Sequence, residues 1–182
     1  AGMRQKILIK CLEGEQGLVA NREEQIVNDI FKFYSNLYFD GGVDRPGIEG
    51  LDLAPISASS ARWLERPFDE CEVHQAVFDC ERDKAPGPDG FSMALFQECW
   101  DIVKGDLMRV FGEFFESGEV ILCTYASFFC LIRKKEKSVK IGDFRPISLV
   151  TSLYKILGKV LSKRIRVVLG ETISPSQGAF VH

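Results

Sequence analysis

Two stretches of this chain carry side chains suited to holding phosphate. One is Arg133, Lys134, Lys135 and Lys137 with Arg145 behind it; the other is the series Lys155, Lys159, Lys163 and Arg166. Lysine offers a mobile point charge, and arginine offers a planar fork that grips two oxygens at once. The charge is unevenly dealt. Residues 1–119 carry 12 basic and 23 acidic side chains, whereas residues 120–169 carry 11 basic and 2 acidic ones, all within a net charge of −3. A basic segment of this kind is the footprint of a polyphosphate or nucleic-acid site, or the face with which a fold balances its acidic half. Charge alone leaves both readings standing. Metal chemistry is thinly supplied. The six cysteines (11, 71, 80, 99, 123 and 130) form no CxxC pair and have two histidines for company. Zinc therefore lacks a ligand set, no other metal site is expected, and reduced thiols in an intracellular compartment are the expectation.

The stiffest stretch is KAPGPDGF, residues 84–91, which sets Lys84 beside two prolines, two glycines and an aspartate. Pro86 and Pro88 bias Ala85 and Gly87 towards extended backbone. Gly87-Pro88-Asp89-Gly90 has proline second and glycine fourth, as a type I turn prefers. A rigid bend feeding a helix from Ser92 is expected, with Asp83 and Asp89 as turn residues rather than metal ligands.

The elements around these stretches follow from periodicity. Residues 3–20 alternate loosely about Gly-Glu-Gln-Gly and predict a short hairpin. Asn21 and Glu24 have capping-box spacing ahead of a helix with Ile26, Ile30, Phe33, Tyr34 and Leu37 on one stripe. Residues 40–60 are rich in Gly, Pro and Ser and read as a linker. Asp69 and Glu72 repeat the capping pattern before Val73, Ala76, Val77 and Cys80. From Ser92 a helix carries Leu95, Phe96, Cys99, Trp100 and Val103, bends at Gly105, continues through Leu107, Val110, Phe111, Phe114 and Phe115, and ends at Gly118. Phe128–Arg133 and Phe144–Leu149 read as two strands about a polar turn. A last helix starts at Thr151 or Ser152, with Leu153, Ile156, Leu157, Val160, Leu161, Ile165 and Val168 inward and the lysines opposite. Fourteen phenylalanines predict an aromatic-rich core that includes Trp100, and His74 reads as a surface residue. The fold class expected is α+β, mostly helical, with a small antiparallel β-hairpin near 126–149. No apolar run approaches the roughly 18 residues of a membrane span, and no secretory signal opens the chain. Its start at Ala1 suggests a piece of something longer.

KAPGPDGF, then LIRKKEKSVKIGDFRPISL (131–149), then TSLYKILGKVLSKRI followed by SPSQGAF, stand in the order seen in one family. The series resembles the reverse transcriptases of non-LTR retrotransposons, the long interspersed elements, and the plant versions most closely. That family shows KAPGPDG, a strand ending L-I-P-K, F-R-P-I-S-L, a Y-K-I-hydrophobic-x-K helix and Q-x-A-F. The match covers residues 65–182, with 1–64 as a variable segment leading in. It implies the fingers subdomain of a right-hand RNA-directed DNA polymerase, with its hairpin near 126–149. By motif match, Lys134 and Arg145 are the residues that approach the incoming nucleotide. Arg133 stands where the family has proline, which loosens the aim of Lys134; Gly178 stands where it has serine or alanine, a departure within Q-x-A-F. Resemblance and charge together make Lys84, Arg133, Lys135, Lys137, Lys155, Lys159, Lys163 and Gln177 the candidate nucleic-acid contacts. Each also has a plainer reading, as turn, hairpin tip, wet helix face or, for Gln177, loop cap; for Arg145 that is a structural pairing with Asp143 or a helix end.

The family joins nucleotides with two metal ions held by palm aspartates, so magnesium is implied for the complete polymerase, together with RNA template, DNA primer and deoxynucleotide triphosphate. No Asp-Asp pair occurs in these residues, and none of them is a catalytic candidate. The expectation is a fingers fragment, truncated before the palm and inactive by itself, that works when completed by that missing domain. Two alternatives stay open: a standalone basic nucleic-acid-binding module, and a transposon remnant without function.

Overall fold

The computed structural model describes residues 9–14, 17, 19–39, 41, 55–119 and 126–173. The α+β expectation is met: helices predominate, with two small antiparallel hairpins. The chain forms two compact units and enters each of them twice. One unit takes residues 1–48 and 129–147, the other 49–128 and 148–182. The boundary at 64/65, drawn from motif coverage, falls within the second unit.

In the first unit, β1 (Leu12–Glu13) pairs antiparallel with β2 (Val19–Ala20), Leu12 opposite Ala20. The expected turn closes them, the Gly17 N–H donating to the Gly14 carbonyl at 3.1 Å. Helix α1 (Glu23–Leu37) buries Ile26 and Tyr34 and half-buries Ile30 and Phe33, as the stripe predicts. Two expectations fail here. Leu37 is exposed, lying in the last turn beyond the packed face. Arg22, not Asn21, is the N-cap, and it makes no side-chain cap bond. Asn21 stands one residue too far upstream to reach the orphan amides of the first turn. Most of the second hairpin also belongs to this unit: β3 (Ser127–Arg133) pairs with β4 (Phe144–Val150) as expected, across a 3₁₀ turn at Ile141–Asp143. Leu12, Ala20, Ile26, Tyr34, Ile141 and Phe144 make a small core. Beside it Val27, Ile30, Phe31, Tyr34, Tyr38 and Phe129 border an apolar groove of about 620 Å³.

The second unit holds five helices among the described residues. Helix α2 (Ala58–Leu64) was not expected, since residues 40–60 read as linker up to its first turn. Its cap is local and legible: the Ser57 hydroxyl accepts from the Ser60 N–H at 3.2 Å. Helix α3 (Glu70–Phe78) has the expected capping box, both Asp69–Glu72 bonds measuring 2.9 Å. The helix is not interrupted at Gly105, where a bend is expected. The break is at Cys99, between α4 (Met93–Glu98) and α5 (Trp100–Ser117), and α5 continues unbroken through Gly105. A glycine inside a helix costs about 1 kcal/mol, less than the burial of Leu107 and Phe111 beyond it returns. Gly118 ends α5 as expected, at φ 69°, a conformation that favours glycine.

Helix α6 (Ser152–Thr172) is capped by the Thr151 hydroxyl, which accepts from the Tyr154 N–H at 3.3 Å. Ile156, Leu157, Val160 and Val168 are buried as expected, the first three in one core with Val73, Val77 and Phe111. Ile165 is not: it is 50% exposed. Arg164 takes the inward place, because it falls four residues after Val160 and four before Val168, on the stripe itself. The aromatic core is also smaller than expected. Phe96, Phe111, Phe144 and Trp100 are buried, but Phe31, Phe39, Phe78, Phe91, Phe115, Phe128 and Phe129 are exposed. His74 is half-buried rather than a plain surface residue, stacked on Phe78 at 4.3 Å and edge-on to Trp100 at 4.9 Å. No helix among the described residues is long and apolar enough to cross a membrane.

Candidate nucleic-acid interface

The KAPGPDG bend is a socket for the start of α6. Its turn closes as predicted, the Gly90 N–H donating to the Gly87 carbonyl at 3.1 Å. Gly87 lies against the chain where β4 passes into α6: a Cβ there would come closer than 3.0 Å to the Val150 carbonyl and the Thr151 nitrogen. Only glycine fits that approach. Asp89 reaches across 63 residues to accept the Ser152 N–H at 2.6 Å, which satisfies an orphan donor of α6. The Ser152 hydroxyl returns a bond of 2.6 Å to the Phe91 carbonyl, and Lys155 Nζ donates to the Ala85 carbonyl at 3.1 Å.

One cleft opens beside this socket. It measures about 310 Å³ and is lined by Asp79, Cys80, Glu81, Lys84, Met93, Lys155 and Lys159. Three predicted contacts, Lys84, Lys155 and Lys159, are thereby brought together. Lys84 pairs with Glu81 at 2.9 Å. Lys163, a fourth prediction, is ion-paired to Asp79, and that bond holds the Asp79 carboxyl below the usual range. Burial pushes the Cys80 thiol up, against the nearby lysines. Lys159 makes no hydrogen bond or ion pair among the described residues.

The other predicted contacts lie on the β3–β4 hairpin, in the first unit. Lys134 is exposed, with its Nζ on the Gly142 carbonyl at 2.7 Å and its backbone N–H on the Asp143 carbonyl at 2.8 Å. Lys135 pairs with Asp143 at 2.8 Å, and this bond depresses the Asp143 carboxyl. Arg145 therefore does not pair with Asp143. It is exposed on β4 with no hydrogen bond or ion pair among the described residues, as are Arg133 and Lys137 at the hairpin. Gln177 lies outside the described residues.

Arg164 was missed. It is 3% exposed, and all five of its N–H donors are used. Nε donates to Glu72 at 3.0 Å and Nη2 to the same carboxylate; Nη1 reaches the Leu64 and Arg66 carbonyls at 3.0 and 2.7 Å, Nη2 the Pro67 carbonyl at 2.9 Å. The plane also lies 4.1 Å from the Phe68 ring centroid. One signal could have found it: a cation standing on the apolar stripe. Counted with it, six of the eleven cations in 120–169 bind within the fold, namely Lys134, Lys135, Lys140, Lys155, Lys163 and Arg164. Arg133, Lys137, Arg145, Lys159 and Arg166 remain unengaged among the described residues. Among the described residues no three His, Cys, Asp or Glu side chains gather to hold a cation.

No protein-family model matches the chain. Two curated proteins do. The chain is 34% identical over 171 residues to the transposon TX1 uncharacterized 149 kDa protein of Xenopus laevis, a match that covers 93% of this chain and 13% of that one. It is 25% identical over 182 residues to the retrovirus-related Pol polyprotein from type-1 retrotransposable element R1 of Bradysia coprophila, covering 98% of this chain and 17% of the other. It thus spans a small part of the length of either relative. The homology runs along nearly the whole of this sequence, through both units, and so the chain is a relative of proteins encoded by transposable elements, a retrotransposon Pol polyprotein among them.

Proposed function

We propose that this chain is the fingers region of a non-LTR retrotransposon reverse transcriptase, and that it contributes contacts to the RNA template and the incoming nucleotide. The observation that carries the reading is Arg145. It sits within FRPISL, exposed on β4, with its guanidinium unengaged among the described residues. A free fork fits triphosphate oxygens and stacks on a base plane. Lys134 supplies a second charge near the hairpin turn. Arg133, Lys137 and the lysines of α6 supply sequence-independent contacts to the strand. The Pol polyprotein homology supports the polymerase assignment. Magnesium, primer and the metal-binding aspartates belong to the complete polymerase, and the residues here act in binding and alignment.

The test places Arg145→Ala in a complete polymerase that carries this region. The nucleotide KM rises about ten- to hundredfold, the cost of a lost charge-assisted hydrogen bond, while template affinity changes little. Arg145→Lys recovers part of the loss, since it keeps the charge without the planar fork. A lowered melting temperature with an unchanged nucleotide KM would return Arg145 to the scaffold.

A further inference from the structure

We propose that the cleft beside the KAPGPDG socket seats one backbone phosphate of a single-stranded nucleic acid, with Lys159 as the principal contact. This rests on the nucleic-acid reading above and narrows it to one place and one residue. The charges facing the cleft largely cancel in pairs. Lys84 neutralises Glu81 at 2.9 Å, and Lys163 neutralises Asp79. Two cations are left over, Lys155 and Lys159, which lie four residues apart on α6 and so share a face. Lys155 has one of its three donors on the Ala85 carbonyl, which leaves two free. Lys159 has all three.

The loop that joins two lining residues, Lys84 and Met93, is fixed against the start of α6 before any ligand arrives. Gly87 packs on the Val150 carbonyl, Asp89 caps Ser152, and Pro86 and Pro88 stiffen the loop between. Little ordering is therefore needed on binding. The lining also includes Met93 and Cys80, apolar surface suited to a sugar rather than to a second charge. Two lysine point charges and no planar fork or hydrogen-bonding amide make a seat that reads charge and ignores base identity. That chemistry fits a phosphodiester.

The experiment compares Lys159→Ala with Arg166→Ala in the 182-residue chain. Both substitutions remove one unengaged cation from α6, and circular dichroism checks that both variants stay folded. Binding of a fluorescent 20-mer of oligouridylate is followed by anisotropy across a salt series. Lys159→Ala flattens the slope of log K against log salt by about 0.7, roughly a fivefold loss at 0.1 M salt, whereas Arg166→Ala leaves the slope nearly unchanged. Equal losses from the two variants would overturn the seat and leave general electrostatic binding standing. Absence of any salt-dependent binding by the wild-type chain would overturn the seat and the nucleic-acid reading together. Inorganic triphosphate binding that requires Lys159, with an oligouridylate slope that does not, would assign the cleft to a free phosphate ligand and overturn the proposal.

Discussion

At the scale of single residues, the chain's cations divide between those spent inside the fold and those left for a partner, and Arg164 is the extreme of the first kind. Its guanidinium joins α6 to Glu72 of α3 and to three carbonyls that lead from α2 into α3. Removing Arg164 leaves Glu72 with only its longer Arg66 contact of 3.3 Å and its capping bond, and takes the donor from three carbonyls, so Arg164→Ala destabilises by about 3 kcal/mol. Arg164→Lys recovers only part, because an ammonium cannot serve a carboxylate and three carbonyls at once. Urea denaturation of both variants measures this; a loss near that of a surface substitution, within about 0.5 kcal/mol, would show that the guanidinium is dispensable. The residue lay in plain view in the sequence. Charge alone does not single it out on a lysine-rich helix; position on the apolar stripe is what distinguishes Arg164 from Lys159 or Lys163. Asp89 escaped for another reason: its partner Ser152 is 63 residues away, and no local pattern joins the two.

At the scale of elements, α2 shows how a helix is kept without a core. It buries no side chain. It is held at both ends by α6 instead. Glu171 accepts from the Ser57 N–H at 2.6 Å and from the Ser60 hydroxyl, and seven residues earlier Arg164 donates to the Leu64 carbonyl. Seven residues span about 10.5 Å of helix, the length of α2 itself, so the two charges meet its two ends with the polarity its dipole favours. The Ser57 and Ser60 bonds hold the Glu171 carboxyl below its ordinary value of 4.5. A depressed carboxylate contributes stability that is present above the ordinary value and is lost as pH falls through the folded one. Glu171→Gln therefore lowers the melting temperature at neutral pH, and the gap from wild type closes below about pH 4.5. Other titrating groups are common to both proteins and cancel. A gap independent of pH would mean that the charge on Glu171 is idle. The elements legible in the sequence were those with local chemistry, such as the α3 capping box, the Gly118 terminus and the β3–β4 pair. The α4–α5 break and the clamped α2 depend on contacts distant in sequence, which periodicity cannot report.

At the scale of the molecule, each unit is assembled from two separated pieces of chain. Residues 129–147 leave the second unit and return to it through facing strands of one hairpin. Replacing them with a short Gly-Ser linker should leave the second unit folded, because its core of Val73, Val77, Phe111, Ile156 and Val160 uses none of them. Retained helicity and a cooperative melt check this; a molten product would mean that the hairpin is part of that unit's folding. The same discontinuity has a consequence for synthesis. A nascent chain completes residues 1–48 early, yet must add residues 49–128 before the strand that finishes the first unit emerges. At about 5–20 residues per second that interval lasts several seconds. Throughout it, α1 travels from the ribosome with Val27, Phe31, Tyr34 and Tyr38 lacking Phe129 and Leu131 beside them, a waiting apolar surface of the kind that chaperones bind.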